Sequence, residues 1–85
     1  MKARVHIMPK GGVLDPEGKA IERALLQLGF SGVSGVRKGK IIELQLDDEN
    51  IEAARERLDA MCRQLLANTV IESYQIEMTD IEMTD

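Results

Sequence analysis

The sequence predicts an α+β domain, a ferredoxin-like β-α-β-β-α-β arrangement in which an antiparallel sheet carries two helices on one face. Three observations lead there. Residues 3–8, 42–46 and 70–78 alternate apolar and polar side chains, the period of a half-buried strand. Residues 16–28 and 50–67 instead repeat apolar side chains every three or four positions, as amphipathic helices do. Each helix is apolar on one side only, so both belong on the same face of the sheet.

In the first strand, ARVHIM, Val5 and Ile7 share one face while Arg4, His6 and Met8 share the other. Pro9 to Gly12 form a loop. The first helix starts at LDPEGK. Asp15 can accept a hydrogen bond from a free first-turn N–H as N-cap, and Pro16 suits the first helical position, where its missing donor costs nothing. Ala20, Ile21, Ala24, Leu25 and Leu28 make the apolar stripe, with Lys19, Glu22, Arg23 and Gln27 on the wet side. Gly29 supplies the left-handed residue of a Schellman ending, and Phe30 can fold back onto the last turn.

In residues 32–46, Ile42, Leu44 and Leu46 alternate with Glu43 and Gln45 as a strand. Val33 and Val36 fall out of phase, Gly35 marks a bulge or bend, and Lys38-Gly39 is the expected tip of a hairpin. The second helix, from about Asn50 to Ala67, is expected to take Asp47 or Asp48 as its cap. Its seam is Ile51, Ala54, Leu58, Met61 and Leu65, with Arg55–Asp59 and Asp59–Arg63 as i, i+4 pairs on the exposed side. Asn68 is placed to end it in the left-handed conformation. The last strand, VIESYQIEM, sets Tyr74, Ile76 and Met78 on one face. IEMTD then occurs twice in tandem, at 76–80 and 81–85, which is too short for a structural repeat. We divide the chain into a single domain, 1–78, and a C-terminal extension, 79–85, where change is well tolerated.

A chain of 85 residues buries only about 60% of its unfolded surface, and Phe30 and Tyr74 are its only aromatic residues. The core must therefore be aliphatic and small. Met8, His6 and Ile41 leave the second sheet face incompletely polar, and together these features predict a homo-oligomer. A net charge of −4 and a central sheet without aromatics argue against nucleic acid as a partner. No 18-residue apolar run and no signal-peptide core are present, so a soluble cytoplasmic protein with no membrane contact is expected.

The residues that could carry chemistry are few. Cys62 is alone and lies on an apolar helix face, where it reads as a small core residue. His6 has no second histidine or cysteine pair with which to hold a metal. No serine or cysteine has a histidine base at a recognisable spacing. LDPEGK imitates a phosphate loop and fails its requirements: Gly12 is one residue too far from Gly18-Lys19, Ala20 has no hydroxyl, and Pro16 removes a donor. Glu49, Glu52, Glu56 and Asp59 read as a solvated helix face. Arg37, Lys38 and Lys40 form the one basic cluster and are the candidate partner interface, suited to a phosphate or an acidic surface. No catalytic, cofactor-binding or metal residue is assigned.

GGVLDPEGKAI, ALLQLGF, GVRKGK and MCRQLLANTVIESY, in that order, resemble the PurS family, the small subunits of bacterial and archaeal phosphoribosylformylglycinamidine synthase. The resemblance runs to about Glu77. Two departures are Thr69, where the family usually has proline, and the duplicated tail, which has no family counterpart. The resemblance implies a non-catalytic subunit in de novo purine biosynthesis, forming a dimer or a dimer of dimers. Its partners would be a glutaminase subunit that releases ammonia and a large synthetase subunit that uses ATP and magnesium. The small subunit would bridge the two and support ammonia transfer. The alternative is an ACT-like regulatory domain that binds a small ligand. Such domains share the element order and often carry a D-x-P-G turn, whereas this chain has Asp15-Pro16-Glu17-Gly18, with the proline displaced.

Overall fold

The computed structural model describes residues 1–79. Its elements run β1 (Lys2–Pro9), α1 (Pro16–Gln27), β2 (Lys40–Gln45), α2 (Ile51–Met61), a π-helical turn (Cys62–Leu66) and β3 (Glu72–Thr79). The strands form one antiparallel sheet in the order β2-β1-β3. The α+β class holds, and the central first strand flanked by later ones is consistent with the ferredoxin-like arrangement.

Register decides which side chains become core. Val5 lies across from Ile42 and Ile76, and Ala3 from Leu44 and Met78. These residues share a face because side chains alternate along each strand. Ala3, Val5 and Ile7 are buried beneath Leu58 and Cys62, with Ile42, Leu44, Tyr74, Ile76 and Met78 packed around them. Cys62 is thus the core residue its helix position suggested.

The second helix departs from the expected pattern at both ends. Its cap is Asn50, not Asp47 or Asp48: the Asn50 side chain accepts from Glu52 N at 2.8 Å and Ala53 N at 3.2 Å. Asp48 instead pairs with Arg57. At the far end, Ala67 N donates to Cys62 O at 3.0 Å, a bond spanning five residues. The extra residue in that turn rotates the seam. Leu66 moves toward the core while Leu65, expected in the seam, is 83% exposed. Asn68 is not left-handed, since no non-glycine residue described has a positive φ. It makes a turn instead: its side-chain oxygen accepts from Val70 N, and its carbonyl accepts from Ile71 N and Glu72 N. Val70 and Ile71 consequently belong to the turn and β3 opens at Glu72. The duplicated tail lies outside the described residues.

The larger departure concerns residues 10–39. No strand forms over 32–37, and Lys38-Gly39 is not a hairpin tip. The backbone donors that a strand would have offered to the sheet go to α1: Val36 N to Glu22 Oε1 at 3.2 Å, and Lys38 N to Asp15 Oδ2 at 2.8 Å. This strap therefore accompanies the helix and not the sheet. Because β1 ends where β2 begins, with Ile7 opposite Lys40, helix and strap leave and re-enter the sheet at one end as an arm. No α1 residue belongs to the core or to the layer packed on it, so α1 does not share the sheet face with α2. The dimensions agree: 49 × 31 × 15 Å with a radius of gyration of 16.2 Å, against about 12 Å for a compact chain of this length. Within the arm α1 is well terminated. Asp15 is its N-cap and Pro16 follows; at the other end Gly29 has φ 97°, Phe30 N donates to Leu25 O and Gly29 N to Leu26 O, the two bonds of a Schellman motif.

Candidate docking site at the root of the arm

The three basic residues singled out in the sequence meet where the arm joins the sheet. The Arg37 guanidinium donates to the Pro9 carbonyl. The Lys38 ammonium pairs with Glu17 at 2.8 Å, and Lys40 approaches Glu72 to 3.8 Å. Lys10 Nζ, from the loop beside them, donates to Thr69 O at 2.7 Å. Between Pro9, Glu17, Lys38, Lys40 and Glu72 lies a hollow of about 390 Å³. All three basic side chains are exposed, yet each holds a partner in its own chain. Glu17 holds the Lys38 ammonium above its usual 10.5, so it serves as a cation and not as a base.

Asp15 organises this root. Beside capping α1 through Gly18 N at 3.1 Å it accepts from Lys38 N. Those bonds, first Lys38 and then Gly18, with the charge of Arg37 adding to them, hold its carboxyl below the usual 3.8. Gly18 is buried between the two: a Cβ there would fall 2.5 Å from Asp15 Oδ2 and 2.5 Å from Val36 O. The glycine of LDPEGK thus lets the strap lie against the helix. A group whose folded pKa is depressed contributes its stabilisation above its unfolded pKa and loses it as pH falls through the folded value. Asp15→Asn is therefore expected to lower stability at pH 6, with the gap to the parent chain closing as pH falls below 3.8. Urea melts at a series of pH values check this, and a gap unchanged down to pH 2.5 would contradict it.

A second polar group ties α2 to β3. Tyr74 Oη donates to Asp59 Oδ1 at 2.5 Å, and Arg63 Nε donates to Asp59 Oδ2 at 2.8 Å. The Tyr74 bond foremost lowers the Asp59 carboxyl and raises the phenol. Burial, and then the Asp59 charge, push the neighbouring Cys62 thiol up, which keeps it protonated and packed. On the open sheet face, His6 Nε2 lies 3.1 Å from Glu77 Oε2 and Arg4 Nε donates to Glu43 Oε1 at 2.8 Å. Among the described residues, no three His, Cys, Asp or Glu side chains gather as metal ligands. Two links were missed by the sequence reading: Asp15 to the strap and Tyr74 to Asp59. Neither leaves a local signal, since their partners are 23 and 15 residues away.

What the root can do chemically is present alternating charges on a fixed scaffold; it has no nucleophile paired with a base. The sequence profile of the PurS family, described as phosphoribosylformylglycinamidine (FGAM) synthase, matches residues 2–80. The chain belongs to the PurS family. The phosphoribosylformylglycinamidine synthase subunit PurS of Synechocystis is 51% identical over 79 residues, covering 93% of this chain and 79% of that one. The Methanocaldococcus jannaschii PurS subunit is 47% identical over 81 residues, covering 95% and 98%. Its crystal structure, described as one of the subunits of formylglycinamide ribonucleotide amidotransferase in the purine biosynthetic pathway, superposes with a TM-score of 0.83. A chain of the PurLQS structure from Thermotoga maritima, 36% identical, covers 89% of this chain and 93% of its own with a TM-score of 0.81. Membership of the PurS family sets aside the ACT-like alternative.

Proposed function

We propose that this chain is the non-catalytic small subunit of a phosphoribosylformylglycinamidine synthase in purine biosynthesis. In this reading it acts in the cytoplasm as a homo-oligomer, a dimer or dimer of dimers, that bridges a glutaminase subunit and a large synthetase subunit and supports ammonia transfer between them. The observation that carries it is the match to proteins named as PurS subunits along nearly the whole chain, including a chain from a PurLQS structure. The one cysteine is buried in the core, and the lone histidine is engaged with a carboxylate. ATP and magnesium would be handled by the synthetase subunit. Self-association is favoured by a core that, among the described residues, comprises Ala3, Val5, Ile7, Ala54, Leu58, Cys62 and Ala67, which is slight for a chain that also holds out an arm.

Arg37, Lys38 and Lys40 are the surface proposed to meet an acidic patch on one partner. Exposed ion pairs add little to folding, so changing the three to Ser should leave the chain folded. Exposed charges at the edge of an interface chiefly steer encounter, an effect that fades with salt. Reconstitution with a glutaminase and a synthetase tests both levels. Amidine formation from glutamine is expected to require this chain, which alone should hydrolyse neither glutamine nor ATP. The triple variant should be captured more weakly and with less salt dependence. Full glutamine-dependent synthesis without the chain would refute the bridge, and wild-type capture by the variant at both low and high salt would refute the basic surface.

A further inference from the structure

β3 is an edge strand with a helix standing beside it. Among the described residues it pairs with β1 alone. The register fixes which of its backbone groups that pairing uses. Lys10 N donates to Ile71 O, so Lys10 and Ile71 form a hydrogen-bonded pair just before the strand opens. Such pairs alternate along an antiparallel ladder. Ser73, Gln75 and Glu77, opposite Met8, His6 and Arg4, therefore bond to β1, while Tyr74, Ile76 and Met78 direct N–H and C=O to the free edge. Glu72 keeps the same alternation, since its N–H turns away from β1 to Asn68 O. The strand runs from Glu72 to Thr79 in unbroken register, with no proline, glycine or lysine to blunt its edge.

A groove of about 830 Å³ lies between this edge and α2, floored by Tyr74 and Ile76. Its helical wall is tied to the strand, because Tyr74 and Arg63 both donate to Asp59. Toward the start of α2 the wall continues as Glu52, Arg55 and Glu56, which are exposed and, among the described residues, hold no ion pair. With Arg63 engaged on Asp59, a single guanidinium faces two uncommitted carboxylates.

We propose that this groove takes an extended segment of a partner polypeptide, which adds to β3 as a further antiparallel strand and carries basic side chains at alternate positions. Its residues opposite Tyr74, Ile76 and Met78 exchange main-chain bonds with them, as peptides do when they extend a sheet. Directly opposed residues point to the same face, so those side chains enter the groove beside Glu52 and Glu56. A basic side chain is complementary there, and an acidic one meets like charge. A second copy of this chain fails by the same rule: its own β3 would bring Glu72 on that face, and its own α2 the same carboxylates. The groove lies apart from the basic surface at the root of the arm, and its occupancy does not depend on that surface.

The test uses the full chain and a synthetic nonapeptide that alternates threonine with lysine and is blocked at both ends. At low salt, titration should shift the Tyr74, Ile76 and Met78 amides and slow their hydrogen exchange at least about tenfold, leaving exchange at Ser73, Gln75 and Glu77 as it was. Backbone N-methylation at the lysines, whose N–H groups face β3, should abolish binding, and at the threonines it should not. Glu52→Gln/Glu56→Lys changes exposed positions, so the far-ultraviolet spectrum should persist while binding weakens at least about tenfold. A glutamate peptide of the same pattern should not bind. Unshifted β3 amides at about 1 mM peptide would overturn the proposal. So would equal binding of the two methylated peptides, or of the lysine and glutamate peptides. Amides of Tyr74, Ile76 and Met78 that are protected in the chain alone and lose protection on dilution would show a second copy on the edge, and would overturn it too.

Discussion

Leu58→Ala is expected to cost about 3 kcal/mol, the middle of the range for deleting a buried leucine and leaving a cavity. Leu58 is fully buried with Val5, Ile7 and Cys62, which are with it the largest fully buried side chains of the core. Domains are stable by about 0.05–0.15 kcal/mol per residue, so the loss is a large share of the roughly 4–13 kcal/mol available to a chain this size. At about 4–8 °C per kcal/mol the melting temperature should fall by about 12–24 °C. Leu65→Ala is the matched control. Both leucines were assigned to the same helical seam, but Leu65 is 83% exposed, and its truncation should stay within about 0.5 kcal/mol. Thermal melts of the two variants at one protein concentration distinguish them, and equal losses would mean that the π-helical turn does not rotate the seam.

That pair marks where the sequence could be read and where it could not. Alternation in β1, β2 and β3 named the core face residue by residue, because a side-chain period of two admits one register for Val5, Ile42 and Ile76 once one face is buried. The ends of α1 were equally legible: an Asp-Pro start and a Gly29 stop act within a single turn. The π-helical turn was not, since a 3.6-residue period fitted to Ile51 through Leu65 assumes that the period persists. Nor was the arm. Ile21, Leu25 and Leu28 show that α1 has an apolar side, but periodicity does not say whether that side lies on the sheet. The strap was misread as one arm of a hairpin because Lys38-Gly39 resembles a hairpin tip, although Val33 and Val36 fall out of phase, while the competing acceptors, Asp15 and Glu22, are far away in sequence. At the candidate site, the basic cluster was visible as composition. Its pairing with Glu17, Glu72 and the Pro9 carbonyl was not, because all three partnerships depend on the arm's return to the sheet.

Gly39 is where that return is tightest, and Gly39→Ala carries the second large effect. The residue stands one position before β2, with no positive φ, so its need for glycine is steric and not conformational. A Cβ there would lie 2.2 Å from Met8 Sδ and 2.4 Å from Ile7 O. Met8 can give way, being the end of a flexible side chain. Ile7 O cannot, because β1 is the central strand and is held from both sides by β2 and β3. The strap must then lift, and the Ile7–Lys40 pairing at the start of β2 with it. Overpacking of this kind typically costs about 1–3 kcal/mol, and about 2 kcal/mol is expected here. Gly11→Ala is the control, because a Cβ at Gly11 meets nothing within 4 Å and its φ is not positive. Restricting the unfolded chain there should be neutral or stabilise by less than about 1 kcal/mol. Beyond stability, Gly39→Ala should speed amide hydrogen exchange at Lys40 and Ile41 while leaving the β1–β3 pairs protected. Melts of the two variants with residue-resolved exchange decide the matter: a Gly39→Ala chain as stable as Gly11→Ala would show that the strap can move off β1 freely, and that the arm is not fixed at its root.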